Sequence, residues 1–497
     1  MADRYVLVID LGSSSLRAHP VPVDQPWAVP PGAVRHYGSR RQPGALAHQL
    51  HPARVRERLF DAMREALHSG GIEASAVAAI AVTAQRGGTA FLDGLGRTLY
   101  LGPNKDVRAV FEGAEIDERW GQEIYSHTGH LPSLFFPAAK LRWWRNHQPR
   151  QADAIDRVLT LGAWAVHELT GETAETGPSL AEAGMADINA FPATVPGPLL
   201  QKLGVESGLL PQLLPTGTPS GGLCQPAAQV IGLLPGIPVC LVGPDAQAAM
   251  LGMGLVEPGS TGVTAGWSAP VERVTKAPVL HPARKTWASH HIIDGRWIAE
   301  ANASDTGETV EAVRRLLRLP QARFTALAER APQPSPATAA FWGPRALDLS
   351  APGMSFGGLL LPVPVTHEGL EPGALALATL ENVAFAIREC VDMLDELAAP
   401  SSAPVSLSGG MAADPVFVSI LAAVLGGPLL VHGPKATVTG AAIAASRPPQ
   451  AWEEAADAAV GQGSLREPNA GAVLAYGQAY GRWRTLRDRL DELTEAL

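Results

Sequence analysis

An α/β architecture is the fold class this sequence predicts, and three observations carry the prediction. Short apolar, β-branched runs alternate with amphipathic helical stretches, the alternation occurs in both halves of the chain, and the strand-like runs end in turns of small residues. At 497 residues the chain exceeds the size at which a single core keeps growing, so at least two cores are expected. A boundary near residue 256 would divide it into 1–256 and 257–497.

The elements follow in order. Tyr5–Ile9 reads as a buried strand running into the turn Asp10-Leu11-Gly12-Ser13-Ser14-Ser15. Pro52 leads a helix whose apolar positions Val55, Leu59, Phe60, Met63 and Leu67 recur at helical spacing until Gly70-Gly71. Val77–Val82 is the next strand and completes a strand–helix–strand unit. Val239–Val242 reaches the turn Gly243-Pro244-Asp245 and a helical stretch over 246–255, which Glu257-Pro258-Gly259-Ser260 breaks. Thr261–Ala265 then reads as a strand entering the turn Gly266-Trp267-Ser268. The grammar repeats with a helix over 377–397, a strand over 404–408 reaching Gly409-Gly410, and Asp414-Pro415 as N-cap and first-turn proline of a helix ending at Gly426-Gly427. Proline-rich 329–340 is the most linker-like segment and reads as a surface loop.

Composition narrows the function. The chain is 46% hydrophobic and 18% charged, as globular proteins are. Lys+Arg of 39 against Asp+Glu of 48 leaves −9, so no broad basic footprint exists for nucleic acid or an anionic membrane. No apolar run approaches the roughly 18 residues of a membrane span. Cys224, Cys240 and Cys390 form neither a CxxC pair nor a disulfide framework, and a reducing cytoplasmic location is expected. His290-His291 lacks metal-ligand spacing and reads as surface or satisfied polar residues. Trp143-Trp144, in the basic stretch Lys140–Arg145, reads as amphipathic helix packing rather than base stacking. Neither GxxxxGK[ST] nor GxSxG occurs, which excludes a P-loop and a nucleophile elbow.

Three places can carry chemistry. At Asp10, Gly12, Ser13 and Ser14, turn amides can approach phosphate oxygens, a carboxylate can hold hydrated Mg²⁺, and Arg17 can compensate phosphate charge. A plain strand-ending turn is the alternative. Asp245 stands at a strand end and a helix start, where α/β sheets place ligands, although a plain N-cap would occupy the same position. Gly409-Gly410-Met411 permits close backbone approach to a flat ligand, or only a turn.

The order of these segments resembles the FGGY carbohydrate kinases of the actin-like ATPase superfamily. The opening Asp10-Leu11-Gly12-Ser13-Ser14-Ser15-Leu16-Arg17 matches that family's first phosphate motif. Further matches are Thr83-Ala84-Gln85-Arg86, Asp106-Val107-Arg108, Thr128-Gly129 with Lys140–Trp143, Pro244-Asp245-Ala246-Gln247, Gly343-Pro344-Arg345, Gly409-Gly410-Met411 with Asp414, and Thr439-Gly440-Ala441-Ala442. The resemblance implies two ribonuclease H-like domains flanking a deep cleft, with the sugar on the first and ATP on the second. It implies Asp245 as catalytic base, Asp10 and Asp245 at Mg²⁺, and Gln85, Arg86, Asp106 and Gln247 as readers of acceptor hydroxyls. Gly12, Ser13, Ser14, Arg17, Gly266, Trp267, Ser268, Gly307, Gly409, Gly410, Met411 and Asp414 would frame the nucleotide. The implied activity is phosphoryl transfer from Mg-ATP to a hydroxyl of a small sugar, xylulose-like ketose or polyol, in a cytoplasmic protein that by analogy forms a homodimer.

Departures from the family pattern bear on the acceptor. Gly266-Trp267-Ser268 replaces the usual Gly-Thr, Asn104 replaces a tryptophan, Gly87 stands where glycerol kinases carry an acid, and Thr176-Gly177-Pro178-Ser179 lacks another acid. The competing reading is a weakened nucleotide- or sugar-binding regulator of the same fold, with turnover blocked at Trp267.

Overall fold

The computed structural model describes residues 4–13, 15–38, 40–41, 46–336, 338–348, 357–361, 364 and 367–496. Two mixed sheets organise the chain. The first contains β1 (Tyr5–Leu11), β2 (Ser15–Pro22), β3 (Ala33–His36), β4 (Val77–Ala84), β5 (Pro219–Gly222) and β6 (Pro238–Pro244), in the order β5-β6-β4-β1-β2-β3. The second contains β7 (Thr261–Thr264), β8 (Pro270–Thr275), β9 (Trp287–His290), β10 (Trp297–Asn302), β11 (Val405–Ser408), β12 (Leu429–Val431) and β13 (Ser464–Arg466), in the order β9-β10-β8-β7-β11-β12-β13. In each sheet the opening strand pairs antiparallel with its successor and parallel with a strand that follows a long helix.

Those helices form where the apolar period demands. In α1 (Pro52–Gly70), Val55, Leu59, Met63 and Leu67 are buried and Gly71 closes the helix in the left-handed region at φ 62°. Further along come α2 (Asp245–Gly252), α3 (Thr306–Leu316), α4 (Pro372–Leu397), α5 (Pro415–Leu425) and α6 (Ala436–Ser446). Asp414 caps α5 by accepting from the Val416 and Phe417 amides, and Gly426 ends it at φ 74°.

One segment differs from its sequence reading. Residues 321–330 continue as helix into the proposed loop, Ala339–Ala340 is a short strand, and Thr338 is buried. Of the two alternatives for His290 and His291, the structure has the buried one, in polar contact with neighbouring backbone beneath loops of the first half. His290 Nε2 meets the Ala190 carbonyl at 2.8 Å, and His291 Nδ1 accepts from the Ile293 amide at 2.8 Å. The tryptophan reading agrees: Trp144 is buried in helix Pro137–His147, and the Arg108 guanidinium lies 5.0 Å from the Trp143 ring. The three cysteines are unpaired. Among the described residues, no helix is long and apolar enough to cross a membrane.

Each sheet has its own core, and a further apolar cluster joins them. In it Val6, Val8 and Val242 of the first sheet meet Leu251 of α2 and Val438, Ala441 and Ile443 of α6. The other side of α2 packs Ala249 and Met250 on Val274 and Ile298 of the second sheet. The two helices can approach this closely because glycines face each other at their crossing. A Cβ at Gly440 would overlap the Ala248 carbonyl oxygen, and one at Gly252 the Ala436 carbonyl oxygen. Backbone cannot rotate aside as a side chain can, so Gly440→Val should force the helices apart. Overpacking of this kind costs about 1–3 kcal/mol. A thermal melt should therefore show a clear fall for Gly440→Val and almost none for Gly427→Ala, where nothing lies within 4 Å of the added carbon. Equal melting temperatures would refute the crossing as a constraint.

Candidate active site

Three adjacent parallel strand ends of the first sheet deliver three of the predicted segments side by side. In register, Leu11 of β1 pairs with Ala84 of β4, which pairs with Pro244 of β6. Asp10, Gln85 and Asp245 therefore emerge along one sheet edge, the carboxyl end at which open α/β sheets bind ligands. Arg17 sits directly across from Asp10 on β2, and its Nη1 donates to Asp10 Oδ2 at 2.9 Å. Tyr37 closes the first turn by donating to the Gly12 carbonyl, and Gln85 Nε2 donates to the same oxygen at 3.2 Å. Ser14 lies outside the described residues.

Asp245 is the first residue of α2, with Pro244 in the cap position, so it is not a plain N-cap. Its Oδ1 accepts from the Ala246 amide at 2.9 Å. Burial, then the charge of Asp10, pushes its carboxyl up to about 7, against the smaller opposing pull of Arg86. A carboxyl poised there can take a proton near neutral pH.

The second sheet presents a matching ledge. Thr264 of β7 pairs with Ser408 of β11, so the turns at 266–268 and 409–411 lie together. The Met411 amide donates to the Ala265 carbonyl at 3.0 Å, and the Gly307 amide to the Gly266 carbonyl at 3.1 Å. Gly409, at φ 94°, and Gly307 could carry no side chain without overlapping Ala265 and Gly266, whereas Gly410 faces open space. This bare backbone ledge at the start of α3 suits a phosphate or a flat base. Trp267 is 55% exposed beside it. Asp414 caps α5 as its sequence reading has it, one carboxylate oxygen accepting from the Val416 and Phe417 amides and the other from Thr325 Oγ1 at 2.6 Å.

On the acceptor side, Asp106 is fully buried and its oxygens accept from Tyr100, from Arg108 Nε at 2.9 Å and from the His48 amide at 3.2 Å. These contacts tie Asp106 to the loop that carries it and to Tyr100 and His48. Asn104, in that loop, accepts from Ser13 Oγ at 3.2 Å, joining it to the first turn. Gly87 has φ +67°, which disfavours an acidic side chain there, and its carbonyl accepts from the buried Lys140 Nζ at 2.8 Å.

Arg86 and Gln247 converge on a residue the sequence did not single out. Glu182, at the end of helix Gly177–Glu182, accepts from Gln247 Nε2 at 2.9 Å, Ser289 Oγ at 2.7 Å and Arg86 Nη1 at 3.3 Å, with His130 Nε2 at 3.5 Å. Burial raises its carboxyl, but Arg86 and His130 outweigh that and hold it below the ordinary range. Arg86 also makes a bidentate ion pair with Glu300 of β10, its Nη2 reaching Oε1 at 2.8 Å and its Nη1 the other oxygen. Glu272, directly opposite Glu300 across β8 and β10, is buried with neither oxygen hydrogen-bonded among the described residues. Burial first and the Glu300 charge second push its carboxyl well above the usual range.

Were magnesium to bind, Asp10 and Asp245, neighbours at the strand edge, would be the carboxylates to hold it. Among the described residues there is no cluster of three or more His, Cys, Asp or Glu that would hold a metal unaided. That fits Mg²⁺, which keeps several waters and binds through one or two carboxylates and substrate phosphates.

A two-sheet α/β protein with a carboxylate pair at one strand edge and a glycine ledge at the other matches a well-populated class. Models of the FGGY family of carbohydrate kinases match here, the N-terminal domain over residues 5–252 and the C-terminal domain over 262–447. The chain belongs to this family. An autoinducer-2 kinase of Salmonella paratyphi B is 26% identical, with 97% of this chain and 94% of that protein aligned. An Escherichia coli autoinducer-2 kinase is 28% identical over 316 residues, a match spanning 62% of this chain and only 58% of that enzyme. A solved xylulose kinase from Brucella ovis shares the fold at TM-score 0.84 and 22% identity, over 99% of this chain and 100% of its own.

The raised Asp245 carboxyl has a consequence for stability that needs no substrate. Because its folded value lies above 3.8, the folded state holds this proton while the unfolded chain releases it. The stability involved is intact at low pH and lost as pH rises through about 7. Asp245→Asn removes the penalty, so its melting temperature should exceed the wild type's by about 2 °C or more at pH 8 and converge toward it at pH 4. A gap independent of pH would contradict the assignment.

Proposed function

We propose that this protein is a kinase that transfers the γ-phosphate of ATP to a hydroxyl of a small, neutral, polyhydroxylated acceptor. The observation that carries the reading is the placement of Asp245: a carboxyl held near neutrality at a helix start, beside Asp10 and Arg17 and within the electrostatic reach of Arg86. In this reading the portion around 1–256 holds the acceptor and 257–497 the nucleotide.

Asp245 takes the proton of the acceptor hydroxyl as that oxygen attacks phosphorus. Gly266, Gly307, Gly409 and Gly410 let the triphosphate lie against backbone, Gly12 and Ser13 offer a second turn, and Arg17 balances phosphate charge while bound to Asp10. Trp267 and Ser268 stand at the edge of the ledge, with Met411 behind it. Magnesium, when bound at Asp10 and Asp245, supplies charge neutralisation on the phosphates. Gln85, Arg86 and Gln247 orient the acceptor, and in-line placement does much of the remaining work.

Charge favours a neutral acceptor. Arg86 is already paired with Glu182 and Glu300, and Arg17 with Asp10. A sugar acid entering here would meet carboxylates without a free guanidinium. The sequence likeness to autoinducer-2 kinases places autoinducer-2 among the acceptors to try, beside ketopentoses, ketohexoses, tetritols, pentitols and glycerol.

ADP release should be measured across that panel, with gluconate as the anionic comparator. One neutral acceptor should turn over, and Asp245→Asn should lower its kcat by about 10²–10⁴-fold, the range of a positioned general base. A preference for gluconate would overturn the neutral-acceptor reading, and full activity in Asp245→Asn would overturn the base.

A further inference from the structure

We propose that Glu300 is a positioning residue: its carboxylate grips Arg86 from the second sheet, so the acceptor-side guanidinium is set in place only while the two sheets are closed on each other. The proposal rests on the kinase reading and adds to it a residue that acts through Arg86.

Arg86 follows β4 of the first sheet, whereas Glu300 lies on β10 of the second, 214 residues further along. Of the two carboxylates on Arg86, Glu182 travels with the first half of the chain and Glu300 with the second. The Glu300 contact is bidentate and includes the 2.8 Å bond, while the Glu182 contact is single at 3.3 Å. Trp287, beside Glu300 in the β9–β10 register, places its ring 5.3 Å from the same guanidinium. Parting the sheets therefore removes the better of the two anionic partners together with the ring, and leaves Arg86 tethered only through Glu182.

A static brace would be built otherwise. Replacing a buried ion pair with apolar side chains is often neutral or stabilising, so this pair is a poor device for stability alone. Here the arrangement is less economical still, since the buried Glu272 opposes Glu300 directly. Both Glu272 oxygens and Gln247 Oε1 lack hydrogen-bond partners among the described residues. Unpaired buried polar atoms are rare in finished cores. Their gathering around one guanidinium beside the base marks a polar cluster completed by something other than itself.

The test uses the full chain with Glu300→Gln, which removes the charge and keeps the shape, and Glu300→Asp, which keeps the charge on a shorter arm. Without ligand, amide hydrogen exchange over residues 85–88 should speed up about tenfold in Glu300→Gln, the scale of one lost charge-assisted hydrogen bond. With the best acceptor from the panel, KM for that acceptor should rise about tenfold while KM for Mg-ATP stays within about twofold. Glu300→Asp should recover part of both effects. Trp297→Phe removes a different bond between the two halves, Trp297 Nε1 to the Ile188 carbonyl at 2.8 Å, and should shift melting without moving the acceptor KM. Unchanged exchange and acceptor KM in Glu300→Gln, or equal rises in both KM values matched by Trp297→Phe, would overturn the proposal. Should Glu300→Gln fail to fold, Glu300→Asp carries the same comparison. A panel with no turnover sinks the kinase reading, and the exchange result then decides the grip alone.

Discussion

The crossing of α2 and α6 is the constraint on which the rest of the site depends. Both helices lie between the sheets, and α2 begins with Asp245, so whatever sets the helix axis also sets that carboxyl. Glycines at 252 and 440 allow the backbones to touch, which makes the contact short and rigid. From the same region Lys435 Nζ donates to the Val29 and Pro30 carbonyls at 3.1 and 2.9 Å, and Arg447 reaches the Val23 carbonyl at 3.2 Å. The second half of the chain thus clasps the first beneath the cleft. The two halves are thus joined on this side through helices and loops, and on the other through Arg86 and its carboxylates.

What the sequence revealed and what it hid divide along chain separation. Strands β1, β4 and β6, helix α1 and the Asp414-Pro415 cap were legible because each signal is local: a β-branched run, an apolar period, a cap beside a proline. Asp10 and Arg17 were singled out separately, and their pairing across the turn came only with the strand register. Glu182 and Glu300 were invisible, since they meet Arg86 across 96 and 214 residues and nothing local distinguishes them from surface acids. For His290 and His291 the reading left surface and satisfied polar positions open for a related reason. An edge strand read alone cannot show that loops around Ala190 and Leu255 will cover it. Asp106 and Asp414 matched family motifs, yet motif matching does not say which side a carboxylate faces, and both proved to have their oxygens engaged by neighbouring protein groups.

The electrostatics of the cleft follow from this packing. Bringing two sheets together placed Asp10, Asp245, Glu182, Glu272 and Glu300 around two guanidiniums, an excess of negative charge that burial magnifies. The molecule answers it differently at each carboxylate. Arg86 and His130 hold the Glu182 carboxyl below its ordinary range, whereas burial and the Glu300 charge push that of Glu272 well above it. Asp245 has neither a guanidinium of its own nor complete isolation, so it rests between the two answers, which is the condition a general base requires.

That ordering also explains why the phosphate side and the acceptor side answer to different parts of the chain. Arg17 is fixed by its cross-strand partner within one sheet, so the charge that would meet phosphate is present whether or not the cleft is closed. Arg86 draws one carboxylate from each half, so its placement depends on closure. A reactive phosphate held near water is wasteful unless the attacking hydroxyl is aligned first. Tying the acceptor-side guanidinium, but not the phosphate-side one, to the approach of the second sheet makes alignment of the acceptor a condition of the closed state rather than an independent event.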